Sequence, residues 1–161
     1  MSGTGHTVKS YEEEMQSLND NLVMMGSLTE SQMADAMSAV IKVDKESVDK
    51  IVKSDGKINE LRSIIDNQIT TVLVKRAPMA VDLRITISTM KISHDLERIG
   101  DLAKSVAKKV KPLPVDLPDE LTASLRRLGD LVQKQLKDVL DAYLNKSKEK
   151  AIEIWRKDEQ V

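Results

Sequence analysis

The chain has 161 residues, 40% of them hydrophobic, with 25 lysines and arginines against 26 acids and a formal charge of -1, enough for a real core in one ordinary domain or two very small ones. That balance gives no electrostatic case for nucleic acid, and the charges alternate along the chain as on solvated helix faces rather than forming a tail. There is no cysteine, which excludes disulfides and thiolate metal sites and fits a reducing compartment, the cytoplasm by default.

The start, MSGTGHTVKSYEEEMQ, lacks the apolar core and small-residue cleavage site of a signal peptide, and no run of about 18 uncharged apolar residues occurs. Membrane contact is therefore expected to be peripheral or through a partner. The first element is a long amphipathic helix: Tyr11, Met15, Leu18, Leu22 and Met25 form a stripe that resumes at Met33, Met37, Val40 and Ile41. Asp44 is placed to cap a second helix marked by Val48, Ile51, Ile58, Leu61, Ile65, Ile69 and Val72. The KRAP segment ends it, because Pro78 restricts Ala77, and the proline suits the first turn of a third helix.

The third helix carries the cleanest seam, Ile85, Ile92, Leu96, Ile99, Ala103, Val106 and Val110, and runs to Pro112 with Lys104, Lys108, Lys109 and Lys111 crowding its negative end. After the proline-rich PLPVDLP connector, Asp119 and Glu120 open a fourth helix with Leu121, Leu125, Leu128, Val132, Leu136, Val139 and Tyr143 on one face. No stretch alternates with period two and phenylalanine is absent. The expected fold is all-α, a three-helix bundle of antiparallel helices packed by Leu, Ile, Val and Met, with the eight methionines as adaptable core filler.

Sliding the chain by 103 residues overlays the first two helices on the fourth helix and the residues after it, without a gap. Leu18, Leu22, Gly26, Gln32, Asp35, Ala39, Ile51 and Asp55 fall on Leu121, Leu125, Gly129, Gln135, Asp138, Ala142, Ile154 and Asp158, while Ile58 falls on Val161. Residues 1–112 then read as one complete bundle and 113–161 as an incomplete second copy, a fragment of a longer protein. Its fourth helix is expected to expose an apolar stripe that drives dimerisation or helix exchange.

Residues 94–101, HDLERIGD, set a histidine, three carboxylates, an arginine and a glycine inside the third helix. On the predicted seam Leu96, Ile99 and Ala103 face the core, and His94, Glu97 and Asp101 gather nearly opposite. Glu97 and Asp101 are one turn apart, a like-charge pair costing about 0.2–0.5 kcal/mol, and Gly100 costs a further ~1 kcal/mol relative to alanine. A divalent cation bound by carboxylate oxygens would offset this, as would Arg98 and nearby lysines on a solvated face. Asp55 falls on the second helix's core stripe, where a carboxylate must be paired or bound. Asp82, in VDLR, either complements its helix dipole or pairs with Arg84.

Rival chemistries fail on motif. His94-x-x-Glu97 reverses the Glu-x-x-His order of di-iron bundles, and the only other histidine is His6, in a start expected to be mobile. Phosphate-binding loops, HExxH helices and nucleophile elbows are absent.

Four segments, HTVKSYEEEMQSL, KSDGKINEL, KRAPMAVDLR and HDLERIGDLAKSVA, together with RKDEQV at the end, resemble the PhoU family of bacterial phosphate-signalling regulators. The resemblance covers the whole first repeat. It implies two three-helix bundles related by pseudo-symmetry, each with a metal site at an E-x-x-x-D motif, here Glu97 and Asp101, with Asp55 and Asp82 as further ligands. The implied cofactor is a divalent metal, iron as a multinuclear cluster or zinc, manganese or magnesium. The family resemblance further implies a non-enzymatic adaptor that links the nucleotide-binding subunit of the phosphate ABC transporter to a sensor histidine kinase; the homodimer is expected from the apolar stripe of the fourth helix. The adaptor would hold that kinase inactive and restrain uptake when phosphate is plentiful. The alternative is a plain helical scaffold, coiled-coil or spectrin-like, whose acids are solvated surface.

Overall fold

The structure, a computed structural model, describes residues 3–114 and 116–157. They form five helices and no strand: α1 (Gly3–Lys42), α2 (Ser47–Arg76), α3 (Ala80–Lys108), α4 (Asp119–Leu144) and α5 (Lys148–Lys157). Val115 of the connector, Asp158 and Val161 lie outside the described residues. The backbone around His6, expected to be mobile, is already part of α1.

α1, α2 and α3 pack mutually as a three-helix bundle; α4 lies along α1, and α5 packs on α4. The predicted stripes of α1 and α2 form the core, with Leu18, Leu22, Met25, Ile58, Ile65, Ile69 and Leu96 in one cluster and Ala39, Val48, Ile51, Ala107 and Val110 in a second. Met15, Met33 and Met90 fill around the first cluster, as an unbranched polarizable side chain can. Asp44 caps α2 as expected, its Oδ1 accepting from the backbone N–H groups of Glu46 and Ser47.

The break at KRAP is real but built differently from the expectation. Ala77, left-handed at φ 43° and ψ 57°, closes α2 by donating its N–H to the Leu73 carbonyl. Pro78 therefore stands two residues before α3 rather than in its first turn.

α3 departs most from its predicted seam. Its buried residues are Thr86, Thr89, Ser93, Leu96, Gly100, Ala103 and Ala107, whereas Ile85 is exposed and Ile92, Ile99 and Val106 are only partly buried. Leu96, Ala103 and Val110 are shared between the two stripes, but the buried centre is turned about 70° around the helix from the predicted one. Small residues let α3 approach α1 and α2 closely. The three hydroxyls are buried without penalty because each bonds a carbonyl of its own helix, those of Asp82, Ile85 and Met90.

The C-terminal half of the predicted seam is turned instead toward α4, while Ile92 packs at the margin of the bundle core. Ile99, Leu102 and Val106 line an open apolar groove of about 620 Å³ with Leu128, Val132 and Val139 of α4 and Ile154 and Trp155 of α5.

The 103-residue repeat has a structural counterpart. The α1–α2 turn puts Val43 at φ 50° and donates Asp44 N–H to the Ala39 carbonyl; the α4–α5 turn puts Lys146 at φ 50° and donates Ser147 N–H to Ala142. Where α1 crosses α4, Gly26 faces Leu140 and Gly129 faces Met37. These two contacts exchange under the same shift, the mark of a two-fold crossing.

Candidate functional site: the charged seam between α2 and α3

The rotation of α3 relocates the HDLERIGD face. Glu97 and Asp101 do not point away from the bundle, as the predicted seam implied; they border the groove where α3 meets α2, Glu97 with a side chain 29% exposed and Asp101 with one 50% exposed. Gly100 is buried, and its role is close approach. A Cβ there would stand 3.0 Å from Ile58 Cδ1 and 3.7 Å from Asp55 Oδ1.

Asp55 comes from the buried face of α2, 4% exposed. Its Oδ2 accepts from Lys104 Nζ at 2.6 Å and from Asn59 Nδ2 at 3.2 Å, and its Oδ1 accepts from Gln32 Nε2 at 3.1 Å. Gln32, itself buried, also donates to the Gly100 carbonyl at 2.8 Å and accepts from Ser54 Oγ at 3.0 Å. One amide thus ties α1 to both α2 and α3 at the level of Asp55, and every polar atom it buries is used.

Lys104 joins this centre to the E-x-x-x-D motif. Its Nζ donates to Asp101 Oδ1 at 2.5 Å as well as to Asp55, and the bond to Asp101 first, then that to Asp55, raises its pKa above 10.5. Two turns toward the start of α3, Arg62 of α2 takes the remaining acids. It lies 3.9 Å from Glu97 and 3.5 Å from Asp66, and it donates to His94 Nε2 at 2.9 Å, which makes that nitrogen the acceptor. The Arg62 Nε is buried without a partner. Arg98, the expected counter-charge, is exposed and in no ion pair among the described residues.

Of the four acids singled out from sequence, Asp55 and Asp101 meet, Glu97 is their neighbour one turn away, and Asp82 is elsewhere. Fifteen residues separate Asp82 from Glu97, about 22 Å along the helix. Asp82 is exposed and lies beside Tyr11 of α1 rather than in an ion pair with Arg84. The Tyr11 hydroxyl is buried facing the Asp82 carboxylate, and burial first, then that charge, raises its pKa above 10.0.

The donor set does not fit a resident divalent metal. Such cations need carboxylate or imidazole groups free to turn their lone pairs on one point, whether zinc with four ligands or magnesium with one or two carboxylates and water. Here Asp55 and Asp101 converge on an ammonium, Glu97 and Asp66 are turned to a guanidinium, and among the described residues no three Asp, Glu or His side chains gather to hold an ion. Sequence reading placed Lys104 only among the lysines near the helix end and gave Arg62, Gln32 and Asn59 no role at the site. Lys104 had a signal, since it falls three residues after Asp101 and seven after Glu97 on the same face; the partners on α1 and α2 had none.

Comparison with known proteins agrees with this architecture. A model of the PhoU domain matches residues 22–110 and 125–161. The phosphate-specific transport system accessory protein PhoU homolog of Caulobacter vibrioides is 42% identical over 159 residues, 98% of this chain and 69% of the relative. The protein of the same name from Clostridium acetobutylicum is 34% identical over 156 residues, 96% and 71% of the two chains. Crystal structures of PhoU from Pseudomonas aeruginosa and of the phosphate transport system regulatory protein PhoU from Streptococcus pneumoniae superpose with TM-scores of 0.84 at 32% and 33% identity. Each covers 93% of this chain, which spans 72% and 70% of theirs. With the bundle, the repeat and these matches together, the chain belongs to the PhoU family.

Proposed function

We propose that the chain is a regulatory accessory protein of a phosphate-specific transport system, an adaptor rather than an enzyme. Its partners are the nucleotide-binding subunit of the phosphate ABC transporter and a phosphate-sensing histidine kinase, and it restrains both when phosphate is plentiful. The observation that carries this reading is the 42% identity, over nearly the whole chain, to a phosphate-specific transport accessory protein.

The physical features are consistent with it. The acids of the seam between α2 and α3 are paired with Lys104 and Arg62 of the same chain, which ties the two helices together there. No helix among the described residues is long and apolar enough to cross a membrane. An adaptor of this kind works by binding partner states unequally, which is all that regulation by population shift requires. The apolar groove along α4 is the surface we assign to homodimerisation.

The test is a pull-down of the tagged chain with the purified nucleotide-binding subunit and with the cytoplasmic part of the kinase. Saturable binding to both is expected, together with constitutive uptake in a strain lacking the protein. Binding to neither would leave a plain helical scaffold as the better description.

A further inference from the structure

A carboxylate as buried as Asp55 requires a permanent counter-charge, and the chain provides one from α3. Lys104 Nζ lies 2.6 Å from Asp55 Oδ2 and 2.5 Å from Asp101 Oδ1, so these two oxygens are no more than about 5 Å apart. Metal–oxygen bonds of about 2.0–2.6 Å would span the same gap. Gln32, Asn59 and the Gly100 carbonyl complete the surroundings with neutral groups.

We propose that Lys104 is a resident counter-ion: its ammonium occupies the point where a divalent cation would bridge Asp55 and Asp101, and the pair accepts such a cation only when that side chain is gone. The geometry gives the reason. A tethered ammonium is present at an effective concentration on the order of millimolar or higher, well above free transition-metal ions, and it cannot diffuse away. It also brings a single charge to two carboxylates, one buried and one half-exposed, which leaves solvent to screen the remainder at Asp101.

The experiment uses the purified chain, unmodified and as Lys104→Met, Lys104→Gln and Lys104→Met/Asp101→Asn. Each is incubated with Mn²⁺, Zn²⁺ or anaerobic Fe²⁺, desalted and analysed for bound metal, with Mn²⁺ affinity from calorimetric titration. The unmodified chain should retain only substoichiometric metal, and Lys104→Met should bind Mn²⁺ about tenfold tighter or more. That gain should vanish in the double variant, and Mn²⁺ should raise the melting temperature of Lys104→Met but not of the unmodified chain. Acylation footprinting covers the case in which the variants fold poorly: Lys104 of the unmodified chain should stay protected as Mn²⁺ is added. Stoichiometric metal in the unmodified chain, an affinity unaffected by Lys104→Met and Lys104→Gln, or exposure of Lys104 by micromolar Mn²⁺ would overturn the proposal.

Discussion

Replacing Lys104 and neutralising Asp55 break the same ion pair, yet the structure makes the two losses unequal. Lys104→Met strands a carboxylate whose side chain is 5% exposed, whereas Asp55→Asn leaves an ammonium that is 23% exposed and still paired with Asp101. Breaking a buried pair by deleting one partner costs about 3–5 kcal/mol. Asp55 keeps its bonds from Gln32 and Asn59, which places Lys104→Met near the lower end, about 3 kcal/mol. Asp55→Asn leaves no buried charge but turns one of two acceptor oxygens into a donor facing Gln32 or Lys104 and Asn59, so it should cost less, about 1.5 kcal/mol, the low end for a hydrogen bond to a charged group. In a chain of this size a loss of about 3 kcal/mol lowers the melting temperature by roughly 6–12 °C. Urea unfolding followed by far-UV circular dichroism measures both, and the double variant should recover most of the Lys104→Met loss. Equal losses in the single variants, or a double variant no more stable than Lys104→Met, would refute the buried-charge argument.

Other consequences are open to direct measurement. Gly56 lies in the interior of α2 with nothing within 4 Å of the position a Cβ would take, so Gly56→Ala should stabilise the chain by about 1 kcal/mol in the same urea assay; a loss of stability would mean the site is not open. Glu14 accepts from Arg76 Nε at 2.9 Å and from its second nitrogen at 2.8 Å, and that bonding lowers its pKa below 4.5. Because the folded value is depressed, its contribution is present above pH 4.5 and lost as pH falls through the folded value. Melting temperature against pH should accordingly fall less steeply on the acid side for Glu14→Gln, and superimposable curves would count against the pair. Trp155, the single tryptophan, is 76% exposed at the rim of the apolar groove. If copies associate through that groove, its emission should shift to the blue with rising concentration in step with the sedimentation coefficient; a monomer with constant emission would rule out the assignment.

Local pattern decided a good deal about this protein. Repeated apolar spacing marked the four long helices, because a stripe at three- and four-residue intervals can be buried only by a helix, and Asp44 marked the start of α2 through its side-chain bonds to the first N–H groups. The ungapped repeat anticipated the matching turns at Val43 and Lys146. Asp55 was legible as a conflict, a carboxylate on a core stripe, and a conflict of that kind calls for a partner without naming it.

The partner, and the orientation of α3, were decided only by the tertiary structure. α3 carries an isoleucine edge and an adjoining strip of Thr, Ser, Gly and Ala, and either can face a neighbour. Apolarity favours the first, while the second permits closer helix approach and costs nothing once the hydroxyls are bonded within their own helix. Periodicity measures only apolarity, so it chose the isoleucines. The small strip won the bundle, Ile99 came to the groove along α4 while Ile92 stayed at the core's margin and Ile85 was exposed, and the resulting turn of about 70° carried Glu97, Asp101 and Lys104 to the seam with α2. Whether those acids meet a metal, solvent or an internal cation depends on Lys104 and Arg62 reaching across from one helix to another. That is a matter of rotation and distance between helices, which no spacing within a single helix contains.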